Sequence, residues 1–277
     1  MNLSGHDIGV CSWSLNPASM TDLVAKMDEL ALDHVQLNLV PLIGRDEQTC
    51  QKEIDVLNSA EIAITAGMVH FEGENYSTIA SIKVSGGLVP SEQWSVRKQR
   101  ALDAGRIAQR FGIQSVSLHL GFIPPANDPS YTTLIQRTRE IASVYGELGI
   151  SLLFETGQER ATELLMFLND LNARNAGVNF DPANMILYGS GDPVEAVKIL
   201  GRHIRHVHIK DAIASDSPGI EWGTEVPFGH GDIDHLNFIR ALHDVEYDGP
   251  LVIERECGSN RLTDIRQAVQ KLESILK

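Results

Sequence analysis

Arg205-His206-Val207-His208-Ile209-Lys210-Asp211 sets basic, imidazole and acidic side chains into a stretch whose β-branched residues read as a buried strand. Successive strand side chains point to opposite faces, so Val207 and Ile209 share one face and His206, His208 and Lys210 the other. Burying such a polar face is costly unless it lines a site. His208 is therefore expected to be a metal ligand, with its partners supplied by strand ends far away in sequence.

Working outward, this strand is the seventh of eight. The others are expected at Ile8–Trp13, His34–Leu39, Ala63–Val69, Ser115–Gly121, Ser151–Thr156, Gly177–Pro182 and Leu251–Glu256. Helical patterns separate them. Capping signals open some of these helices, such as Asp192-Pro193 and Asp234, and near-helical apolar spacing marks another, at Ile54, Val56, Leu57 and Ala60. A stretch over about residues 70–90, rich in Gly, Ser and acids, reads as a long functional loop. Strict β-then-α alternation implies parallel strands, and eight units imply closure into a single-domain α/β fold, the (β/α)8 TIM barrel, over residues 1–277. A doubly wound open sheet would want a glycine-rich phosphate turn after strand one, and Cys11-Ser12-Trp13-Ser14 is not one.

Lys+Arg 23 against Asp+Glu 37 gives a net charge of −14, with a sequence pI near 5.1. That balance disfavours nucleic-acid and anionic-membrane partners. The N-terminus shows no signal-peptide pattern, and no apolar run approaches membrane-spanning length. Cys11, Cys50 and Cys257 are far apart and form no C-x-x-C, which fits a reducing, cytoplasmic setting. A homo-oligomer is compatible with this sequence.

Active sites of such barrels lie at the C-terminal ends of the strands. The last inward positions are His119, Glu155, Asp181, His208 and Glu254. Three carboxylates on one rim repel unless a cation neutralises them. Three oxygen donors and one imidazole suit Mn, Mg, Co or Fe(II) better than a structural zinc, although zinc stays open for a catalytic site. Glu256 shares a face with Glu254 and rivals it as the strand-eight ligand. His119 is a candidate substrate contact, and Trp13 a sugar-stacking ring or a core residue. Lys210 would hold a substrate oxygen or balance the carboxylates, or else form an exposed strand-end pair with Asp211. His206 reads as a satisfied interior histidine. His70, Glu72 and Glu74 stand in the strand-three loop, where they would form a lid. No multi-arginine cradle is visible, which favours an unphosphorylated substrate, while Arg255 and Arg261 keep a phosphate or carboxylate open.

Glu155-Thr156-Gly157, Asp181-Pro182-Ala183-Asn184, His206 to Asp211, Gly229-His230-Gly231-Asp232 and Tyr247 to Glu254 resemble the sugar isomerase/epimerase superfamily with the xylose isomerase-like barrel. Ketose 3-epimerases, inosose dehydratase and, more distantly, endonuclease IV belong to it. The resemblance implies metal ligands at Glu155, Asp181, His208 and Glu254, with Glu155 and Glu254 also exchanging the proton on a carbohydrate substrate. The expected activity is isomerisation or epimerisation of a ketose or keto-sugar through a cis-enediolate. A lyase or dehydratase acting on a keto-sugar, keto-glycoside or inosose is the alternative, and a non-catalytic sugar- or protein-binding barrel a third. Asn184 departs from the pattern, because epimerases often carry a His there. An amide cannot relay a proton at neutral pH, so Asn184 is expected only to contact substrate. The Asp-x-His pair of extra ligands in endonuclease IV has no counterpart between Asp211 and Gly229.

Overall fold

The computed structural model describes Met1 to Lys277. Eight parallel strands form its centre: β1 (His6–Cys11), β2 (His34–Asn38), β3 (Ala63–Met68), β4 (Ser115–Leu118), β5 (Ser151–Glu155), β6 (Ala176–Phe180), β7 (Ile204–Ile209) and β8 (Leu251–Ile253). Each pairs with its sequence neighbours, and β8 pairs with β1, Val252 opposite Gly9, so the sheet closes on itself. Closure removes every sheet edge, and the helices α1 (Met20–Glu29) to α10 (Arg261–Leu276) bury the outer face. The (β/α)8 barrel expected from the alternation is therefore present. No helix is long and apolar enough to cross a membrane.

The outer helices start where short polar side chains can take up free backbone N–H groups. Ser19 accepts from Asp22 N ahead of α1, Asp192 from Glu195 N ahead of α8 (Pro193–Leu200), and Asp234 from Asn237 N ahead of α9 (His235–Asp244). Between helices and strands lies a continuous apolar core that includes Val207, Ile209, Phe238 and Leu251. Inside the barrel the packing is polar. His206 Nδ1 meets Asn179 Oδ1 at 2.8 Å and its Nε2 meets Thr65 Oγ1 at 3.0 Å, the satisfied interior histidine that the alternation suggests.

Several strands stop earlier than the sequence suggests, and the displaced residues are those at the mouth. Trp13 lies in a 3-10 turn over Ser12–Leu15, and His119 and Glu254 follow their strands. The stretch after β3 is more ordered than a bare loop, because α3 (Ile79–Ser85) lies within it. Glu74 ties the segment together by accepting from Phe71 N at 3.2 Å and Gly87 N at 2.8 Å. A further helix, α7 (Pro182–Tyr188), starts directly on Asp181, whose Oδ1 accepts from Asn184 N at 2.9 Å.

Lys210 and Asp211 are buried, which corrects the reading of them as an exposed strand-end pair. Asp211 Oδ2 accepts from Gly229 N, Gly231 N and His235 Nε2, each at 2.8 Å, and Oδ1 from Ala212 N at 2.9 Å. The Gly229-His230-Gly231-Asp232 motif thus folds around one buried carboxylate. A side chain at Gly231 would overlap the Asp211 carboxylate itself.

Candidate metal centre

Glu155 at the end of β5, Asp181 after β6, His208 on β7 and Glu254 after β8 converge at the barrel mouth. One ligand-type atom from each lies within 4.8 Å of all the others, and all four residues are buried. Asp181 thereby has two tasks, with Oδ1 capping α7 and Oδ2 3.3 Å from His208 Nδ1. Thr156 fixes the approach by donating to Asp181 O at 2.9 Å and accepting from Asp181 N at 2.8 Å.

A second layer orients these groups. Gln36 Nε2 donates to Ser117 Oγ at 2.9 Å, which turns Gln36 Oε1 toward His208 Nε2 at 2.6 Å. That contact assigns the ring proton to Nε2 in the neutral imidazole and leaves Nδ1 free to ligate, the usual arrangement of a metal-binding histidine. Nδ1 also lies 3.3 Å from Glu254 Oε2 and 3.8 Å from Glu155 Oε1. Trp13 Nε1 donates to Glu254 Oε1 at 2.7 Å. Asn184 Nδ2 and Asn179 Nδ2 donate to the two oxygens of Glu155 at 3.0 and 3.3 Å.

Lys210 supplies the opposing charge. Its Nζ lies 2.7 Å from Glu254 Oε2, 2.8 Å from Glu256 Oε2 and 3.6 Å from Asp181 Oδ2. Burial alone would raise all three carboxyls. It does so for Glu155, which has no lysine beside it. At Glu254 the effect of burial is outweighed by Lys210 and His208, and its pKa falls. At Asp181 the same opposition to burial carries the pKa down to about 2. Burial disfavours imidazolium at His208, yet Glu254, Glu155 and Asp181 hold its pKa well above the ordinary histidine value.

The cavity above this floor has a volume of about 640 Å³. Trp13, His70, His119, Glu155, Asn184, Glu254 and Glu256 line it, whereas Asp181 and His208 lie beneath its floor. His70 sits exposed at the edge. His119 Nε2 stands 3.7 Å from Glu155 Oε1, and its Nδ1 is buried without a hydrogen-bond partner. Glu256 is held outside the four-residue cluster by Lys210, with its side chain 51% exposed, so the two strand-eight glutamates occupy different places. Lys210 is buried behind them and is not on the cavity wall.

Sequence reasoning missed Gln36 and Asn179, although both are polar residues at inward strand positions and alternation could have found them. It also missed Tyr188 and Trp222 on the wall. Trp222 lies between the strands of a small hairpin, Asp211–Ile213 with Thr224–Val226, where no periodicity marks it.

The family model for the xylose isomerase-like TIM barrel matches residues 74–275. The chain belongs to that family. It is similar to a xylose isomerase domain protein from Planctomyces limnophilus, whose crystal structure has 32% identity and a TM-score of 0.89, covering 98% of this chain and 96% of that one. A xylose isomerase-like TIM barrel protein from Mycobacterium smegmatis, solved in complex with magnesium, shares the fold at 18% identity and a TM-score of 0.76, covering 100% and 98%. An inosose dehydratase from Clostridium perfringens is 25% identical over 144 residues, 47% of this chain and 48% of its own length. The chain thus spans about half the length of that curated relative.

The donor set fits a divalent ion: buried, mostly carboxylate, with one imidazole oriented from behind. Binding requires the proton on His208 to leave, so affinity is expected to rise with pH, by up to about tenfold per pH unit for each proton released. Calorimetric titration of metal-free protein with Mn2+ in buffers of different ionisation enthalpy measures that release directly. Affinity unchanged between pH 6 and 8 (roughly the span where a neighbouring carboxylate matters to histidine) would contradict this account.

Proposed function

We propose that the protein is a divalent-metal-dependent enzyme that moves the proton on the carbon beside a carbonyl of a ketose or keto-sugar, isomerising or epimerising it through a cis-enediolate. One observation carries this reading: Glu155 and Glu254 share the cavity floor in opposite electrostatic settings. Glu155 is held by two amides and has its pKa raised, whereas Glu254 is held ionised between Trp13 and Lys210. Paired carboxyls in unlike environments are how a site separates acid from base. A divalent ion held by Glu155, Asp181, His208 and Glu254 would supply the Lewis acidity that acidifies the C–H bond. Glu254, held ionised, accepts the proton on one side of the substrate, and Glu155, whose raised pKa lets it carry a proton, returns one on the other. Asn184 and His119 line the cavity beside Glu155 and are placed to contact substrate hydroxyl groups. The magnesium complex of a family relative supports Mg, and the oxygen-rich donor set extends the choice to Mn and Co, with Zn or Fe less well matched.

A lyase is the second reading, favoured by Asn184 and by the inosose dehydratase relationship. An amide at this position orients a hydroxyl without reprotonating the substrate, so the same proton abstraction can end in loss of a β-substituent. The two readings part on mass. We expect a screen of ketoses and 3-keto-glycosides in D2O, with Mn, Co and Mg, to give deuterium at the carbon beside the carbonyl. Conserved connectivity identifies an isomerase and loss of a fragment a lyase, while absence of both exchange and fragment loss with every substrate would overturn both. A cytoplasmic setting accords with three unpaired cysteines.

A further inference from the structure

The cavity has a second tier that the metal and proton chemistry does not use. Helix α7 presents Asp181, Asn184 and Tyr188 at i, i+3 and i+7, on one face. Tyr188 stands one turn beyond Asn184, about 6 Å along the helix axis, farther from the Glu155 carboxylate that Asn184 contacts. Trp222 packs on Tyr188 with ring centroids 4.6 Å apart at 67°. Trp222 Nε1 is buried, lies on a side chain that lines the cavity, and has no hydrogen-bond partner.

This aromatic corner is rigidly built. Gly223 N donates to Leu187 O at 3.0 Å, and a Cβ at Gly223 would come within 2.7 Å of Ile213 O. A Cβ at Gly189 would meet Gly219 N and Pro218 Cβ at 2.6 Å. At Gly157, where φ is +145°, a Cβ would come within 2.6 Å of Asn184 Cβ and 3.2 Å of the Tyr188 ring. The hairpin bearing Trp222 is thus seated on the end of α7, and its ring packs on Tyr188 with no ligand present. Preorganised aromatic surface is the kind that binds rings at low entropic cost.

Charge decides which ring. Of the residues that line the cavity, none is lysine or arginine, while Glu74, Glu225 and Glu256 add to the carboxylates of the floor. Nearby cations are committed: Lys210 to Glu254 and Glu256, Arg255 to Glu225 and Asp264, and Arg100 to Glu72. Lys83 lies 5.7 Å from the Phe122 ring centroid and does not line the cavity. The wall therefore offers no uncommitted cation to hold a phosphate or carboxylate. A volume of about 640 Å³ lies within the range of pockets that enclose drug-sized ligands, so a single sugar on the floor leaves the aromatic tier empty.

We propose that Tyr188 and Trp222 form an outer subsite for a neutral second ring joined to the reacting sugar, so that the substrates are glycosides rather than free or phosphorylated monosaccharides. This rests on the sugar-processing reading above, but its test does not require turnover. Binding of glucose, a 4-nitrophenyl glucoside, a glucose disaccharide and glucose 6-phosphate to the Mn-loaded protein is measured by calorimetry, with both anomers of each glycoside. A two-ring ligand is expected to bind roughly 5- to 10-fold tighter than glucose. Trp222→Ala should reduce that ratio to near one, and Trp222→Phe, which keeps a ring, should restore most of it. The aryl and disaccharide arms tell an aromatic aglycone from a second sugar. Equal affinity for one and two rings, an undiminished ratio in a folded Trp222→Ala protein, or tighter binding of the phosphate would each overturn the subsite. A Trp222-dependent ratio in a protein that exchanges no substrate proton would uphold the subsite and overturn the catalytic reading.

Discussion

Glu254→Gln protein is expected to lose at least about 10³-fold in kcat/KM at saturating metal, within the range for removing a proton-transferring group that also helps hold the metal. The substitution preserves size. Its amide oxygen still accepts from Trp13 Nε1, but the amide nitrogen now faces Lys210 Nζ across what was a 2.7 Å ion pair. Lys210 keeps Glu256 at 2.8 Å, so the barrel should fold, and the melting temperature without metal should shift by only a few degrees. Circular dichroism and steady-state rates on the same preparation separate loss of function from loss of fold. The comparison with Glu256→Gln is decisive. Glu256 lies outside the cluster of four, and its replacement should cost about tenfold or less, a change in substrate contact rather than in chemistry. If the Glu256 variant were the dead one, the roles of the two glutamates would be reversed.

Asp211→Ala should be the most destabilising single change at the mouth. The Asp211 side chain is fully buried, and it satisfies three backbone N–H groups and His235. Truncation strands those donors, at a cost of about 3–5 kcal/mol. For a chain of this size that lowers the melting temperature by roughly 10 °C. The effect should depend on pH. Burial favours the neutral acid, but His235 and the N–H groups of Gly231 and Gly229 together outweigh it and depress the Asp211 pKa. A depressed carboxyl contributes its stability above the unfolded-state value, about 3.9, and loses it as pH falls through the folded value. The gap in melting temperature between wild type and variant should therefore be full at neutral pH and close in acid. A gap that widened in acid would count against the assignment.

The barrel was legible because its signals are local and repeated. Val207 and Ile209 alternate with His206 and His208, and Asp192-Pro193 and Asp234 mark helix starts by capping chemistry alone. The four candidate ligands were legible because parallel strands in a closed barrel end at one rim, so the last inward side chain of each strand must converge. What the sequence left open depends on residues that meet only in three dimensions. Glu254 and Glu256 have the same strand parity, and only the fold shows the first buried in the cluster of four beside Trp13 and the second outside it, with Lys210 between them. Asp211 looked like an exposed acid because the glycines that enclose it come some twenty positions later (Gly229 and Gly231). Trp222 was invisible because nothing in its neighbouring sequence says that the hairpin folds back onto α7.

Lys210 places a cation of the chain's own among the carboxylates of the site. A nest of carboxylates without a cation would push the strand ends apart, and the barrel would then wait on metal to fold. With an ammonium group supplied by the chain itself, 2.7 Å from Glu254 and 3.6 Å from Asp181, the site can close first and be charged with metal afterwards. If the protein binds metal as proposed, stripping the metal should then leave the barrel folded, with activity lost before structure.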